Sequence, residues 1–440
     1  MKEKIFRNRI ALQGGSYSLI VTVIVLAILI AVNILASALP KSLTQLDISS
    51  AKLYSITSDT KVVVNALEKD VTIYWIVQAD KEDGEVQNNS LVVECGQRSR
   101  FIGYDDIYLY NANMGSYSYD VSFDGEGAVT SAIDYVVNED QPKIYMLEGH
   151  GEAELSEAFR EQLEKENMEL DTFSLLTADA VPEDADSVLI YGPSSDISAE
   201  EKEMLAEYVS GGGKLMVMAG PVEDGTLTNL YGILNDYGVE TVDGIVVDTD
   251  RGHYAFQAPY ILLPDIADSR ITAPLIEENY YAILPIAQGL TVRDADSGRV
   301  TKLLTTSEAS FSKADGYGLS SYEKEDGDTD GPFALAVSIA AENEGQIVWF
   351  TSSEFLNELY NAYSSGANLD LAMNAMSSLI GENEAVAIRS KSLNYNYLTI
   401  SDSTASFLKA VMIAVFPLIY LGIGICVTIG RRSGFGRSGS

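Results

Sequence analysis

The sequence predicts an α/β protein: a doubly wound sheet preceded by a small α+β unit, the pair held between two apolar segments. Three observations predict it. Tyr17–Leu39 and Ala410–Ile429 contain no Asp, Glu, Lys or Arg, and each meets the roughly 20 residues needed to cross a hydrocarbon core. From Pro142 onward, strand-length apolar runs alternate with amphipathic helical ones, the pattern of a sheet covered by helices. Upstream, between Leu53 and Tyr110, one helical run is followed by short β-branched and aromatic stretches with Gly and Asn punctuation, which reads as a smaller mixed unit.

The organisation expected is a cytoplasmic tail over 1–15, a transmembrane helix over 16–39, and an α+β subdomain over 40–140. An α/β domain over 141–385 follows, then a juxtamembrane linker over 386–406, a second transmembrane helix over 407–429 and a second cytoplasmic tail over 430–440. Lys2, Lys4, Arg7 and Arg9 outweigh Glu3 in the first tail, and Arg431, Arg432 and Arg437 make the second basic, although the whole chain carries −35. Positive flanks stay on the cytoplasmic side, so both termini are expected inside the plasma membrane and the acidic bulk outside. A cleaved leader is the competing reading of the first segment, but the run exceeds a leader's apolar stretch of roughly 7–15 residues.

The acidic surface repels phosphate, which excludes nucleic acid as a partner. Cys95 falls in the external part and Cys426 in the second span, so no disulfide framework is expected and packing must hold the outer part together.

In chain order, Ser58 stands as a helix N-cap before Val62, Val63, Ala66 and Leu67 at helical spacing. Strands are expected at Val71–Val77, Leu91–Glu94, Ile107–Tyr110 and Lys143–Leu147. Leu155, Phe159 and Leu163, four residues apart, give Glu154–Glu166 one apolar face. Val188–Tyr191 is a strand, and Ser198 with Glu201 forms a capping box for a helix through Val209. Gly211–Gly213 ends it before the strand Lys214–Ala219. Leu227–Tyr237 and Leu369–Ile380 read as helices, and Gly244–Asp248, Ala334–Ile339 and Gln346–Thr351 as strands. Asp315–Asp330, rich in Gly and Asp, reads as a solvated loop.

One turn could carry chemistry. Glu148, Gly149, His150, Gly151 and Glu152 stand where the first α/β strand gives way to its helix, and ligands bind at the carboxyl ends of strands in open α/β sheets. His150 could serve as acid, base or ligand with Glu148 and Glu152 orienting it. The structural alternative, and the favoured one, is a tight turn whose polar groups cap the helix. No nucleophile accompanies it: Ile190–Pro193 and Met218–Pro221 show neither G-x-S-x-G nor a Cys at the turn. With only two histidines, His150 and His253, no metal site or cofactor is expected. Asp326–Gly331 copies the start of a calcium loop, but the twelfth position is Val337, where a bidentate Glu is required. No Walker A motif occurs, so any ATP hydrolysis belongs to another chain.

Several segments together resemble the GldG-type auxiliary proteins of ABC transport systems. They are Leu53–Thr57, Val71–Tyr74, Gly125–Ile133, Lys143–Leu147 with Gly149–Glu152, Asp186–Pro193, Ser198–Met218, Ile271–Leu275, Gly331–Val337, Ser352–Leu356 and Asn368–Leu371. The stretch between Trp75 and Leu91 is shorter than the family pattern. The resemblance implies an outer domain like a class I glutamine amidotransferase that has lost its catalytic residues. It also implies a non-enzymatic subunit working in the bilayer beside an ABC permease and its cytoplasmic ATPase. An envelope hydrolase using the His150 loop and a stand-alone ligand-binding module are the alternatives.

Overall fold

The computed structural model describes residues 23–34, 53, 55–77, 88–113, 118–277, 279–293, 298–381, 390–393, 409, 411–422 and 424–425. The chain divides into two units, Met1–Leu53 with Leu393–Ser440, and Tyr54–Ser392. In the first, residues 23–34 are helical with every side chain exposed, and Val411–Val415 is a π-helical turn continued by helical residues 416–422. Among the described residues no helix is long and apolar enough to cross a membrane. The remaining parts of 16–39 and 407–429, both expected tails, and the shortened stretch over 78–87 lie outside the described residues.

The second unit begins with α1 (Ser58–Asn65). Its N-cap is Thr57, whose hydroxyl accepts the Thr60 N–H at 3.4 Å; Ser58 is already helical, so the expected cap falls one residue late. Three antiparallel strands follow, β1 (Thr72–Ile76), β2 (Ser90–Cys95) and β3 (Arg98–Ile102), in that spatial order. A second pair, β4 (Tyr108–Asn113) and β5 (Ser118–Phe123), leads into α2 (Gly125–Val137). Val93, Cys95 and Ile102 of the sheet pack on Ala128, Ala132, Ile133 and Val136 of α2 as one small core. Period-2 alternation on β2 and a helical stripe on α2 produce that contact.

The larger sheet is built from β6 (Lys143–Leu147), β7 (Glu169–Phe173), β8 (Ser187–Tyr191), β9 (Lys214–Met218), β10 (Val239–Val242), β11 (Gly289–Val292), β12 (Ala334–Ala340) and β13 (Gln346–Phe350). Their spatial order is β10-β11-β12-β13-β9-β8-β6-β7, with Val300–Thr305 and Asp265–Ile266 pairing off that path. From β13 to β7 every pairing is parallel; from β13 to β10 every pairing is antiparallel. The doubly wound expectation therefore holds for half the sheet, and the rest is antiparallel. Within that half the short connection Ala341–Gly345 joins β12 directly to β13 without a crossover helix.

Helices cover both faces. α3 (Glu157–Lys165) and α6 (Ala367–Ile380) bury Phe159, Leu163, Leu371 and Met376 against Ile144, Leu189, Met216 and Phe350. On the opposite face α4 (Ala199–Ser210) and α5 (Thr228–Asn235) bury Leu205, Val209 and Leu230 against Val188, Ile190, Val217 and Trp349. Parallel strands buried on both faces have no polar side to show, which explains why β8 is wholly buried and runs Val-Leu-Ile after Ser187.

The loop read as solvated is folded around a lysine. Lys313 is fully buried, and its Nζ meets Glu325 Oε2 at 2.7 Å, Asp328 Oδ2 at 3.1 Å and the Glu323 carbonyl at 3.0 Å. Asp328 also accepts the Ala314 and Glu325 N–H groups, at 3.0 and 2.8 Å. Burial pushes its carboxyl up, but those bonds and Lys313 outweigh it and hold it below the usual range. The protein's own ammonium thus pairs with Asp328, within the stretch that copies the start of a calcium loop. Millimolar calcium is expected to leave the melting midpoint unmoved, whereas Lys313→Ala lowers it by several degrees; paired thermal melts with and without the ion check both.

Candidate functional site

The switch point of the sheet lies between β6 and β8. β6 passes through α3 on one face to reach the edge strand β7, while β8 passes through α4 on the other face to reach β9. Connections that diverge from neighbouring strands open a crevice at the strands' carboxyl ends, where such sheets hold ligands. The Glu148–Glu152 loop leaves β6 at this point, and Gly192–Ser195 leaves β8.

In this chain the crevice is filled by the protein itself. His150 is 4% exposed. Its Nδ1 faces Glu152 Oε1 at 3.2 Å, and its Nε2 faces the Glu201 carboxylate at 3.2 Å. Glu152 folds back as well, with Oε2 accepting the Gly149 N–H at 3.0 Å and the His150 N–H at 2.8 Å. The His150 carbonyl accepts the Ser194 and Ser195 N–H groups at 3.1 and 2.9 Å and the Ser195 hydroxyl at 2.9 Å.

Gly151 is obligatory in this arrangement: its φ is +70°, and a Cβ would collide with Ser194 Oγ.

The sequence signals converge on Glu201. Ser198 caps α4, accepting the Glu201 N–H at 3.1 Å, while Glu201 Oε2 accepts the Ser198 N–H at 2.8 Å. The capping box thus supplies the second carboxylate to His150. Burial pushes the Glu201 carboxyl up, but the bonds from Ser198 and the neighbouring His150 outweigh it and hold it below the usual range. The expected residues Gly149, His150, Gly151 and Glu152 are brought together. Glu148 is exposed, and its N–H continues the β6–β7 ladder by donating to the Phe173 carbonyl at 2.9 Å. Glu201 was legible only as a cap, because the fold, not the spacing, carries α4 to the His150 loop.

What this arrangement can do chemically is limited. Each ring nitrogen is taken by a carboxylate, and both carboxylate side chains are about 5% exposed or less. A general base needs a free nitrogen within reach of a substrate proton. Among the described residues no group of three or more His, Cys, Asp or Glu is arranged to hold a metal ion. A cleft of about 770 Å³ opens elsewhere, lined by Arg100, Tyr135, Arg160, Asn167 and Leu170.

A second polar cluster joins the two ends of this unit. Glu126, at the start of α2, accepts the Thr57 N–H at 2.6 Å and the Thr57 and Thr60 hydroxyls, both at 2.8 Å. Its other oxygen meets Lys391 Nζ at 2.8 Å, and Lys391 also donates to the Ser55 carbonyl at 2.5 Å. Lys391–Ser392 adds as a strand to β5. The first and last described residues of this unit therefore meet at one carboxylate. Burial acts first and upward on Glu126, yet Lys391 and the threonines hold it below the usual range.

A mixed α/β unit with a central sheet, helices on both faces and a plugged switch point defines the class of protein. Residues 141–375 match the family described as an ABC-type uncharacterized transport system, and the chain belongs to that family. No curated protein matches it. Among solved structures it is similar to the mmIFT52 N-terminal domain, with 16% identity, 54% of this chain and 97% of that one covered, and a TM-score of 0.42. It is also similar to a glutamine amidotransferase from Thermotoga maritima, with 8% identity, 55% and 100% covered, and a TM-score of 0.34.

Proposed function

We propose that this chain is a non-catalytic, GldG-type auxiliary subunit of an ABC transporter. Its two apolar segments anchor it in the plasma membrane beside the permease, both termini face the cytoplasmic ATPase, and residues 40–406 lie outside. The outer part divides near residue 140 into the α+β subdomain and an amidotransferase-like domain, which contacts substrate or envelope partners. The observation that carries the non-catalytic reading is the burial of His150 between Glu152 and Glu201, where a working α/β enzyme keeps an open crevice. Family membership supports the transport role. The Glu126–Lys391 cluster is compatible with paired anchors, since it draws together the two ends of the Tyr54–Ser392 unit.

Extraction in mild detergent is expected to co-purify the chain with a multispan permease and an ATPase. A solitary monomer from intact membranes would overturn the auxiliary role, and protease-resistant residues 40–406 in intact cells would overturn the topology.

A further inference from the structure

The first strand of the small sheet stands apart from the other described strands. Among the described residues β1 is an edge strand, paired only with β2, and it reads Thr-Ile-Tyr-Trp-Ile without a Lys, Pro or Gly to protect its open side. Ile73, Tyr74, Trp75 and the following Val77 are all exposed, Trp75 by 67%. The register divides them between faces. Trp75 lies beside Leu91, and Ile73 beside Val93, on the side covered by α2; Tyr74 lies beside Val92, which in turn pairs with Phe101, on the other side. Phe101 is itself 48% exposed.

Exposed apolar side chains on both faces of one open-edged strand narrow the choice of occupant. A lipid surface is planar and covers one face, leaving the outward N–H and C=O groups of the edge unpaired in an apolar setting, which is costly. An added strand pairs with those groups and packs along both faces at once. Charge decides between partners. Glu68 and Asp70 outnumber Lys69 before the strand, and Asp80, Glu82, Asp83 and Glu85 outnumber Lys81 after it. A second copy would bring the same acidic flanks together, whereas a basic-flanked segment gains from them. We propose that β1 is a docking edge for an extended apolar segment with basic flanks, contributed by a partner protein and added antiparallel or parallel to Thr72–Ile76. This deepens the proposed auxiliary role, resting on an outer domain that meets partners.

The test uses the full-length chain in detergent and a short peptide alternating valine and threonine between lysine pairs. Trp75 emission, identified as the signal lost in Trp75→Phe, is expected to shift to the blue on peptide binding. N-methylating alternate peptide amides should weaken binding about tenfold or more by removing the edge hydrogen bonds. Replacing the lysines with glutamates should weaken it about tenfold at low salt, with the difference shrinking as salt rises. Ile73→Lys with Tyr74→Lys should abolish the shift while leaving the melting transition in place. The proposal is overturned if no shift occurs, or if the N-methylated peptide binds equally well. It is also overturned by a comparable shift on transfer to phosphatidylcholine nanodiscs without peptide, which assigns the edge to lipid. A concentration-dependent dimer lost in Trp75→Lys overturns it in favour of a second copy. None of these readouts needs the permease, so this result and the co-purification result can fail separately.

Discussion

His150→Ala is expected to destabilise the Tyr54–Ser392 unit by about 3–5 kcal/mol, the cost of leaving buried charge without its partner. The ring lies between two carboxylates that are themselves almost wholly buried. Deleting it strands both. Glu152 keeps two backbone N–H donors and Glu201 keeps the Ser198 cap, so the loss reflects electrostatics more than missing hydrogen bonds. Adding Glu152→Gln and Glu201→Gln to His150→Ala should recover part of the stability, because neutral amides tolerate burial better than unpaired carboxylates. Denaturant titration of the single and triple variants measures this. A catalytic His150 predicts a different outcome, an unchanged midpoint with an activity lost.

The clasp also has a pH signature. Glu201 is held below its ordinary value of 4.5, so its contribution is fully present above that value. It is lost as pH falls through the lower, folded value. In His150→Ala that acid limb should shift upward in pH, since one of the groups holding Glu201 ionised is gone.

Much of this architecture was legible before the structure. β6 matches its expected bounds, and α4 has the capping box that Ser198 and Glu201 announce, because local hydrogen bonds and period-3.6 apolar faces are written in neighbouring residues. The antiparallel half of the large sheet was not. Its strands are buried on both faces just as parallel strands are, so Ala334–Ala340 and Gln346–Phe350 carry no mark of direction. The His150 turn was visible as Gly-His-Gly-Glu, but its partner Glu201 lies 51 residues away. No periodicity predicts which helix start will reach a given strand end. Lys313 illustrates the same limit in the acidic loop: the anions were obvious in sequence, but nothing in the sequence singled out the buried cation that organises them, which ends the strand Ser310–Lys313.

Lys165→Met is expected to cost about 3–5 kcal/mol and to loosen the small core from the large sheet, because it strands the buried Asp124 carboxylate. Lys165 ends α3 in the large domain, and Asp124 stands at the N-terminus of α2 in the small one. The same junction holds Ser131, whose hydroxyl donates to the Lys165 carbonyl, and Asn167, which donates to the Ser131 carbonyl and to Asp134, both at 3.0 Å. Arg100 of β3 closes it, donating to Asn167 Oδ1 at 2.6 Å. Burial raises the Asp124 carboxyl even against Lys165, and burial pushes the adjacent Glu166 up to about 7. Glu166 ordinarily titrates at 4.5. Between those values the folded chain binds a proton that the unfolded chain has released. Its contribution is therefore complete below 4.5 and is lost as pH rises toward 7. This runs opposite to Glu201 and Glu126, which fail on the acid side. The two trends together place maximum stability at mildly acidic pH. Thermal melts across pH should show that maximum, Glu166→Gln should flatten its alkaline side, and Lys165→Met should steepen it by removing the cation that favours ionised Asp124 and Glu166. Adding Asp124→Asn to Lys165→Met should restore part of the midpoint, since the stranded charge is then absent. A midpoint that rises steadily from pH 4.5 to 7 would show that Glu166 ionises freely in the folded junction.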